Sequence, residues 1–232
     1  MKRVALLLAL VVAVPLFADP QKTSLLSNSN STASTAAGSP VTTQLDNLRL
    51  EATVKWLGPS SKGSLIVYNG NGCCSGWGIL VLSNTDSPAN ALSVLAGGVT
   101  VVPTSITLTP NKWQHVTMDR VSQTVTLTVT TVPDDDDDVA PPPQTASLGF
   151  IPANFIGLLR PAQTYVGDAF NGFVNDAKIT DLGSGSVIDS WDFTHAQATF
   201  GKLNLYGGPV GANGHVLSNF TSSWAVPAHG NN

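Results

Sequence analysis

Charge is scarce in this 232-residue chain: Asp, Glu, Lys and Arg together make up 11% of it, against about a quarter in ordinary globular proteins. Glutamate occurs once, at Glu51. The 11 basic residues form no cluster. Recognition of a nucleic-acid backbone needs grouped Lys and Arg, so nucleic acid is not expected as a partner. Helices favour Glu, Lys, Ala and Leu, and a chain this poor in Glu and Lys is starved of helix. Cysteine occurs twice, as the neighbours Cys73 and Cys74. Adjacent Cα atoms lie about 3.8 Å apart, closer than the roughly 4.4–6.8 Å of ordinary disulfides. A bridge there would close almost no loop, and two sulfurs with no His or Cys nearby make no structural zinc site. Three readings stay open: small residues in a turn, a rigid vicinal disulfide shaping a surface loop and, least favoured because the spacing is not Cys-x-x-Cys, catalytic redox use. No Gly-x-Ser-x-Gly, phosphate loop or dinucleotide fingerprint is present, and His115, His195, His215 and His229 carry no local partner pattern of a catalytic triad.

Long apolar runs are confined to one place. Met1-Lys2-Arg3 is followed by an apolar run from Val4 to Phe17, then Ala18 before Asp19-Pro20. A basic start, a short apolar middle and a small residue at the cut form the pattern of a secretory signal peptide over residues 1–18. The run is short for a bilayer span, so no stable membrane insertion is expected after cleavage. Cleavage also removes Lys2 and Arg3, which makes the mature chain more acidic than the formal net charge of −4. The protein is expected to be secreted, periplasmic or at the cell surface. Residues 19–44, rich in Ser, Thr, Asn and Ala, read as a flexible leader.

What the chain has in quantity is alternation. Thr124 to Val132 reads Thr-Val-Thr-Leu-Thr-Val-Thr-Thr-Val. Val125, Leu127 and Val129 point one way and Thr124, Thr126, Thr128 and Thr130 the other, the signature of a half-buried strand. Asn111 to Met118 alternates more loosely, and a short polar link makes the two an antiparallel hairpin. Leu48, Leu50, Ala52, Val54 and Trp56 alternate with Arg49, Glu51, Thr53 and Lys55, giving a strand with one apolar and one charged face. Further strands are expected at 64–68, 77–82, 91–95, 99–102, 105–108, 153–157, 164–167, 170–179, 186–193, 202–206 and 220–226. Gly, Pro and Asn separate them at roughly 8–12-residue spacing, which argues a two-sheet antiparallel sandwich, all-β, over residues 45–228. Trp56, Trp113, Phe170 and Ile179 are expected in its core, with His115 hydrogen-bonded among them. Pro133, the five aspartates 134–138 and Pro141 to Pro143 read as an extended, solvated loop over 133–143. Residues 229–232 read as a frayed tail.

The order of these pieces resembles the laminin-G-like, or concanavalin A-like, jelly-roll domains. In that family a strand with Trp-His-His-Val precedes a strand of alternating Leu and Val; here Lys112-Trp113-Gln114-His115-Val116 holds the place, with Gln114 for the first His. The family's strand ending in Ile-Gly matches Phe155-Ile156-Gly157 or Tyr165-Val166-Gly167. Its Phe-x-Gly-x-Ile-Asp-Glu-Val-Arg-Ile matches Phe170-Asn171-Gly172-Phe173-Val174-Asn175-Asp176-Ala177-Lys178-Ile179, with Asn175-Asp176 for Asp-Glu and Lys178 for Arg. Asp189-Ser190-Trp191-Asp192-Phe193 resembles a Trp-x-Phe strand found beside such domains. The resemblance covers about residues 45 to 194 and implies a jelly roll.

The glucanase branch of that fold carries Glu-x-Asp-x-Glu, which this chain lacks. Asp189 and Asp192 lie three apart on a strand and so face opposite ways. The expectation is therefore a non-enzyme: a secreted recognition module, binding carbohydrate or acting in adhesion. Sugar rings have an apolar face and a polar edge, and are held by aromatic platforms with side-chain amides. Tyr68, Asn69, Asn71 and Trp77 are the candidates for that site, with Tyr165 secondary. The resemblance also implies calcium at a loop edge, with Asp168 and Asn171 as candidate ligands. Expected partners are a glycan or an extracellular protein. The alternatives are a structural surface protein with protein partners, and an unusual hydrolase dependent on Asp176 or Asp192.

Overall fold

The structure is a computed structural model, describing residues 23–27, 33–36, 40–41, 45, 47–70, 76–98, 100–133, 139–149, 162–193, 198–199, 202–203, 212–214, 217 and 224–227. The expected signal peptide over residues 1–18, Asn71, Cys73, Cys74, the aspartates 134–138, the expected strand at 153–157 and the expected tail 229–232 lie outside the described residues.

Every regular element among the described residues is a strand. In chain order these are β1 (Thr23–Ser27), β2 (Ala33–Ser34), β3 (Pro40–Val41), β4 (Asn47–Trp56), β5 (Ser64–Gly70) and β6 (Gly76–Val81). They continue with β7 (Ala91–Ala96), β8 (Thr100–Thr107), β9 (Trp113–Val121), β10 (Thr124–Thr131), β11 (Gln144–Leu148) and β12 (Ala162–Val166). The last are β13 (Gly172–Asp181), β14 (Ser186–Asp192), β15 (Ala198–Thr199), β16 (Lys202–Leu203) and β17 (Trp224–Pro227). The first sheet runs β11-β10-β9-β4-β13-β1-β17, with β14 also on β13. The second runs β2-β12-β5-β6-β7-β8, with β3 on β12. All pairings are antiparallel. The architecture is the expected antiparallel sandwich.

The apolar sets picked out by alternation close over one another. Leu48, Leu50, Ala52, Val54 and Trp56 of β4 and Val125, Leu127 and Val129 of β10 are buried in one cluster with Trp77, Ile79, Val81, Leu92 and Val94 of the second sheet. Each large apolar side chain so enclosed contributes roughly 1.5–3 kcal/mol. Phe170 and Ile179 join them. The turn from β12 to β13 stitches the sheets together: Leu65 N–H donates to the Asp168 carbonyl at 2.8 Å, and Leu57 N–H to that of Asn171 at 2.9 Å.

Several expectations are corrected. The segment read as leader supplies strands: β1 lies on β13, with Leu25 opposite Val174, and β2 and β3 lie on β12. Ala33 and Val41 are in the core. Ser and Thr weaken helix more than strand, and an unpaired sheet edge recruits such a segment through its backbone groups. Strands expected at 99–102 and 105–108 are one strand, β8, running through Pro103. It pairs only with β7, and an edge strand tolerates a proline because one side of its backbone needs no partner. β11 was not expected; it follows the prolines and pairs β10.

Trp113 and His115 are not core residues. The β9–β10 register sets Met118 opposite Leu127 and Val116 opposite Val129, so β9 sends Gln114, Val116, Met118 and Arg120 inward. Trp113, His115, Thr117 and Asp119 consequently face outward. Arg120 lies in the core, with its guanidinium 5.0 Å from the Trp77 ring centre and Nη1 donating to the Leu45 carbonyl at 2.9 Å.

Candidate functional site

Outward-facing side chains on β9, β4, β13 and β14 fall into cross-strand rows, because directly opposed residues share a sheet face. The first row is Trp113, Lys55 and Phe173. The second is Thr130, His115, Thr53, Asp176 and Asp192. The third is Thr145, Thr128, Thr117, Glu51, Lys178 and Ser190. Asp119, Arg49 and Thr180 form a fourth. From Lys55 to Arg49 is six residues of strand, about 20 Å.

Aromatic surface is concentrated at one end. The Trp113 and Phe173 rings lie 6.4 Å apart between centroids, tilted by 51°. Both are half-buried, so each keeps part of a face in solvent. Lys55 occupies the position between them in register. The next row is polar. His115 Nδ1 and Thr53 Oγ1 share a hydrogen bond at 3.1 Å, and Thr53 N–H donates to Asp176 Oδ1 at 3.2 Å. The β13 register shifts against β4 between Val174 and Asp176. This bulge re-aims the Asp176 carboxylate at its neighbour strand.

Beyond that row the charges satisfy one another. Arg49 donates through Nε and Nη2 to the two oxygens of Asp119, both at 2.6 Å. The Asp119 hydrogen bonds hold the Arg49 guanidinium above its ordinary value, against the opposing effect of burial, with Glu51 adding a smaller upward pull. Glu51, on the outward face as expected but largely covered, pairs with the Lys178 ammonium and lies 3.8 Å from Arg49 Nε.

The residues chosen from sequence lie on the second sheet. Trp77 is 1% exposed and belongs to the core, so it offers no platform. It lies two residues before Ile79 on β6, on the same buried face, which sends the ring inward. Asn69 is 1% exposed, and its amide donates to Thr164 Oγ1 at 3.0 Å. Tyr68 points to the other face of that sheet and is 3% exposed. Its ring stacks on that of Tyr165 at 5.8 Å and 27°. The fold thus joins Tyr68 and Tyr165, and separates both from Trp77 and Asn69.

Asp168 and Asn171 share the β12–β13 turn. The Asn171 amide nitrogen donates to the Gly58 carbonyl at 3.0 Å. Partial burial pushes the Asp168 carboxyl above its ordinary value. A calcium shell takes about six to eight oxygens. Two side chains fall short of such a shell. Among the described residues, no three His, Cys, Asp or Glu side chains converge.

Sequence reasoning missed the Trp113–Phe173 face because β9 sends polar Gln114 and Arg120 inward. The strict alternation of β10 carried the signal: once the hairpin is paired, its phase fixes that of β9.

No family model matches the chain, and no curated protein matches it. Among solved structures it is similar to a "putative carbohydrate binding protein" from Bacteroides ovatus, at 12% identity and a TM-score of 0.55, over 90% of this chain and 60% of that one. A pentraxin from Limulus polyphemus matches at 8% identity and 0.43, over 71% and 78%. The enzymatically active domain of bacteriophage CBA120 tailspike protein 2 matches at 10% and 0.43, over 65% and 24%. The chain therefore spans about a quarter of that tailspike domain and three-fifths of the Bacteroides protein. At these identities the likeness is one of fold alone, an antiparallel β-sandwich. The expectation of a non-enzyme is corrected. Matching structures include a polysaccharide lyase, a xylosidase from Bacillus halodurans and an eqolisin peptidase, at TM-scores of 0.34 to 0.37. Enzymes are thus found among the architectural neighbours, and the fold does not exclude an enzymatic role; neighbours this distant assign no activity.

Proposed function

We propose that the protein binds carbohydrate on the outer face of its first sheet, with Trp113 and Phe173 as the stacking platform. The observation that carries this is the pair of half-buried rings 6.4 Å apart, beside a row holding an imidazole, hydroxyls and carboxylates. Sugar rings stack their apolar face on aromatic surface and hydrogen-bond at their edges. The likeness to the Bacteroides ovatus protein supports the same reading. The N-terminal pattern adds export to this proposal, with a mature chain starting near Asp19; an intact mass that retains residues 1–18 would count against that part.

The test is affinity electrophoresis through soluble polysaccharides, together with a glycan array, each with and without a calcium chelator. Trp113→Ala or Phe173→Ala should weaken a bound glycan by about tenfold, the scale of an anchoring aromatic. Full affinity in both variants would refute the site. Loss on Tyr165→Ala instead would move it to the Tyr68–Tyr165 pair.

A second reading is turnover. Asp176 and Asp192 stand directly opposite in register on the same face, and glycosidases work with a pair of carboxyl groups flanking the scissile bond. Release of reducing sugar that disappears in both Asp176→Asn and Asp192→Asn would establish this reading; binding without release would dismiss it.

A further inference from the structure

We infer that Lys55 selects sugars that carry an anionic group, a carboxylate or a sulfate, at the ring stacked on Trp113 and Phe173. This rests on the proposed glycan site and specifies its ligand. On β4, β9 and β13 the other outward cations are engaged: Arg49 with Asp119, and Lys178 with Glu51. Lys55 is not. Among the described residues it makes no ion pair, side-chain hydrogen bond or ring contact, although it sits between two aromatic residues in the row.

The ammonium therefore keeps its three donors for a ligand. An ammonium without a carboxylate partner favours an anion there. The carboxylates Asp176 and Asp192 stand in the next row, so an anionic group is accepted at the aromatic end and repelled one step further. Lys55 would therefore also fix which way the saccharide lies. The chain's formal net charge is −4. Its overall field opposes polyanions, so any preference for them has to come from a local site.

The experiment uses the full protein and matched pairs of polymers: polygalacturonate against its methyl ester, and dextran sulfate against dextran. Dissociation constants are measured by affinity electrophoresis for the unsubstituted chain, Lys55→Gln and Trp113→Ala. At least one anionic polymer should bind about tenfold tighter than its neutral counterpart, the scale of a charge-assisted hydrogen bond. Which pair shows the preference tells carboxylate from sulfate. Lys55→Gln should abolish the preference, so that the anionic polymer and its neutral counterpart bind that variant equally, and 1 M salt should mimic the substitution. Trp113→Ala should weaken charged and neutral polymers alike. Loss of binding in Trp113→Ala with an anion preference intact in Lys55→Gln overturns the inference and keeps the site. Unchanged binding in Trp113→Ala, or no binding to any polymer, overturns both. A circular-dichroism spectrum and melting curve matching the unsubstituted protein exclude misfolding of either variant.

Discussion

Replacing Gly172 with alanine tests the packing behind the proposed site. Gly172 opens β13 directly opposite Trp56 of β4. A Cβ there would run into the Lys55 carbonyl oxygen, with Phe170 Cε1 at 2.7 Å and the Trp56 Cα at 3.1 Å. Two of these three are backbone of the adjacent strand and cannot turn away as a side chain end can. The third belongs to a fully buried ring. Relief therefore requires β4 and β13 to separate locally, beside the Lys55–Phe173 pairing. Overpacking of a tight core costs roughly 1–3 kcal/mol, and with backbone blocking the way the upper end applies, about 3 kcal/mol. For a domain of this size that is a fall in Tm of about 6–12 °C. Urea unfolding followed by tryptophan fluorescence should show a lower midpoint with an unchanged slope. Gly149→Ala is the control: nothing lies within 4 Å of its would-be Cβ, and the change should stay within about 0.5 kcal/mol. A Gly172→Ala variant less than about 1 kcal/mol down, or no worse than the control, would falsify the close approach of the two strands. Because the strain acts beside Lys55, glycan affinity should also drop, more than in Gly149→Ala.

Other outcomes follow from the charges. Burial raises the folded pKa of Asp168 above its unfolded value, so the folded state holds this proton more tightly. Its contribution to stability is most favourable below the unfolded pKa and declines as pH rises through the folded one. Asp168→Asn should raise Tm at pH 7, with a gain that vanishes on acidification; a loss at pH 7 would contradict this. Calcium that raises the Tm of the unsubstituted chain but not of Asp168→Asn would place a cation at that turn. Asp181 behaves oppositely: hydrogen bonds from the Ser184 hydroxyl and from the Gly183 and Ser184 N–H groups outweigh burial and hold its carboxyl below the ordinary value. Its small stabilisation is present above the unfolded pKa and lost as pH falls through the folded one, so Asp181→Asn should cost stability at pH 7 and nothing in acid. Asp119→Asn should cost about 0.5–1 kcal/mol, the Arg49 pair being half exposed and screened, and the cost should shrink in high salt. Arg120→Ala should be more damaging, about 3 kcal/mol or more, since it opens a cavity under Trp77 and deletes the donor to the Leu45 carbonyl. A melting curve within 2 °C of the unsubstituted chain would contradict that burial.

Amino-acid order alone determined the class of fold and much of its core. The alternation of β4 and β10 is a local property with a period of two, set by backbone geometry whatever the neighbours are. The positions of Leu50, Val54, Leu127 and Val129 inside and of Thr126 and Thr128 outside were therefore legible residue by residue. Tertiary structure decided what those rules leave open. β9 mixes polar and apolar residues on both of its faces, and only pairing with β10 and β4 settles that Trp113 faces out and Gln114 in. Trp77 opens an alternating strand and so reads as core more readily than as a platform, and the closure of the first sheet over it settles the matter. Lys55, Trp113 and Phe173 lie far apart in the chain, and no local pattern joins them. Their alignment into one row is a matter of strand register, which long-range backbone pairing fixes and local sequence does not.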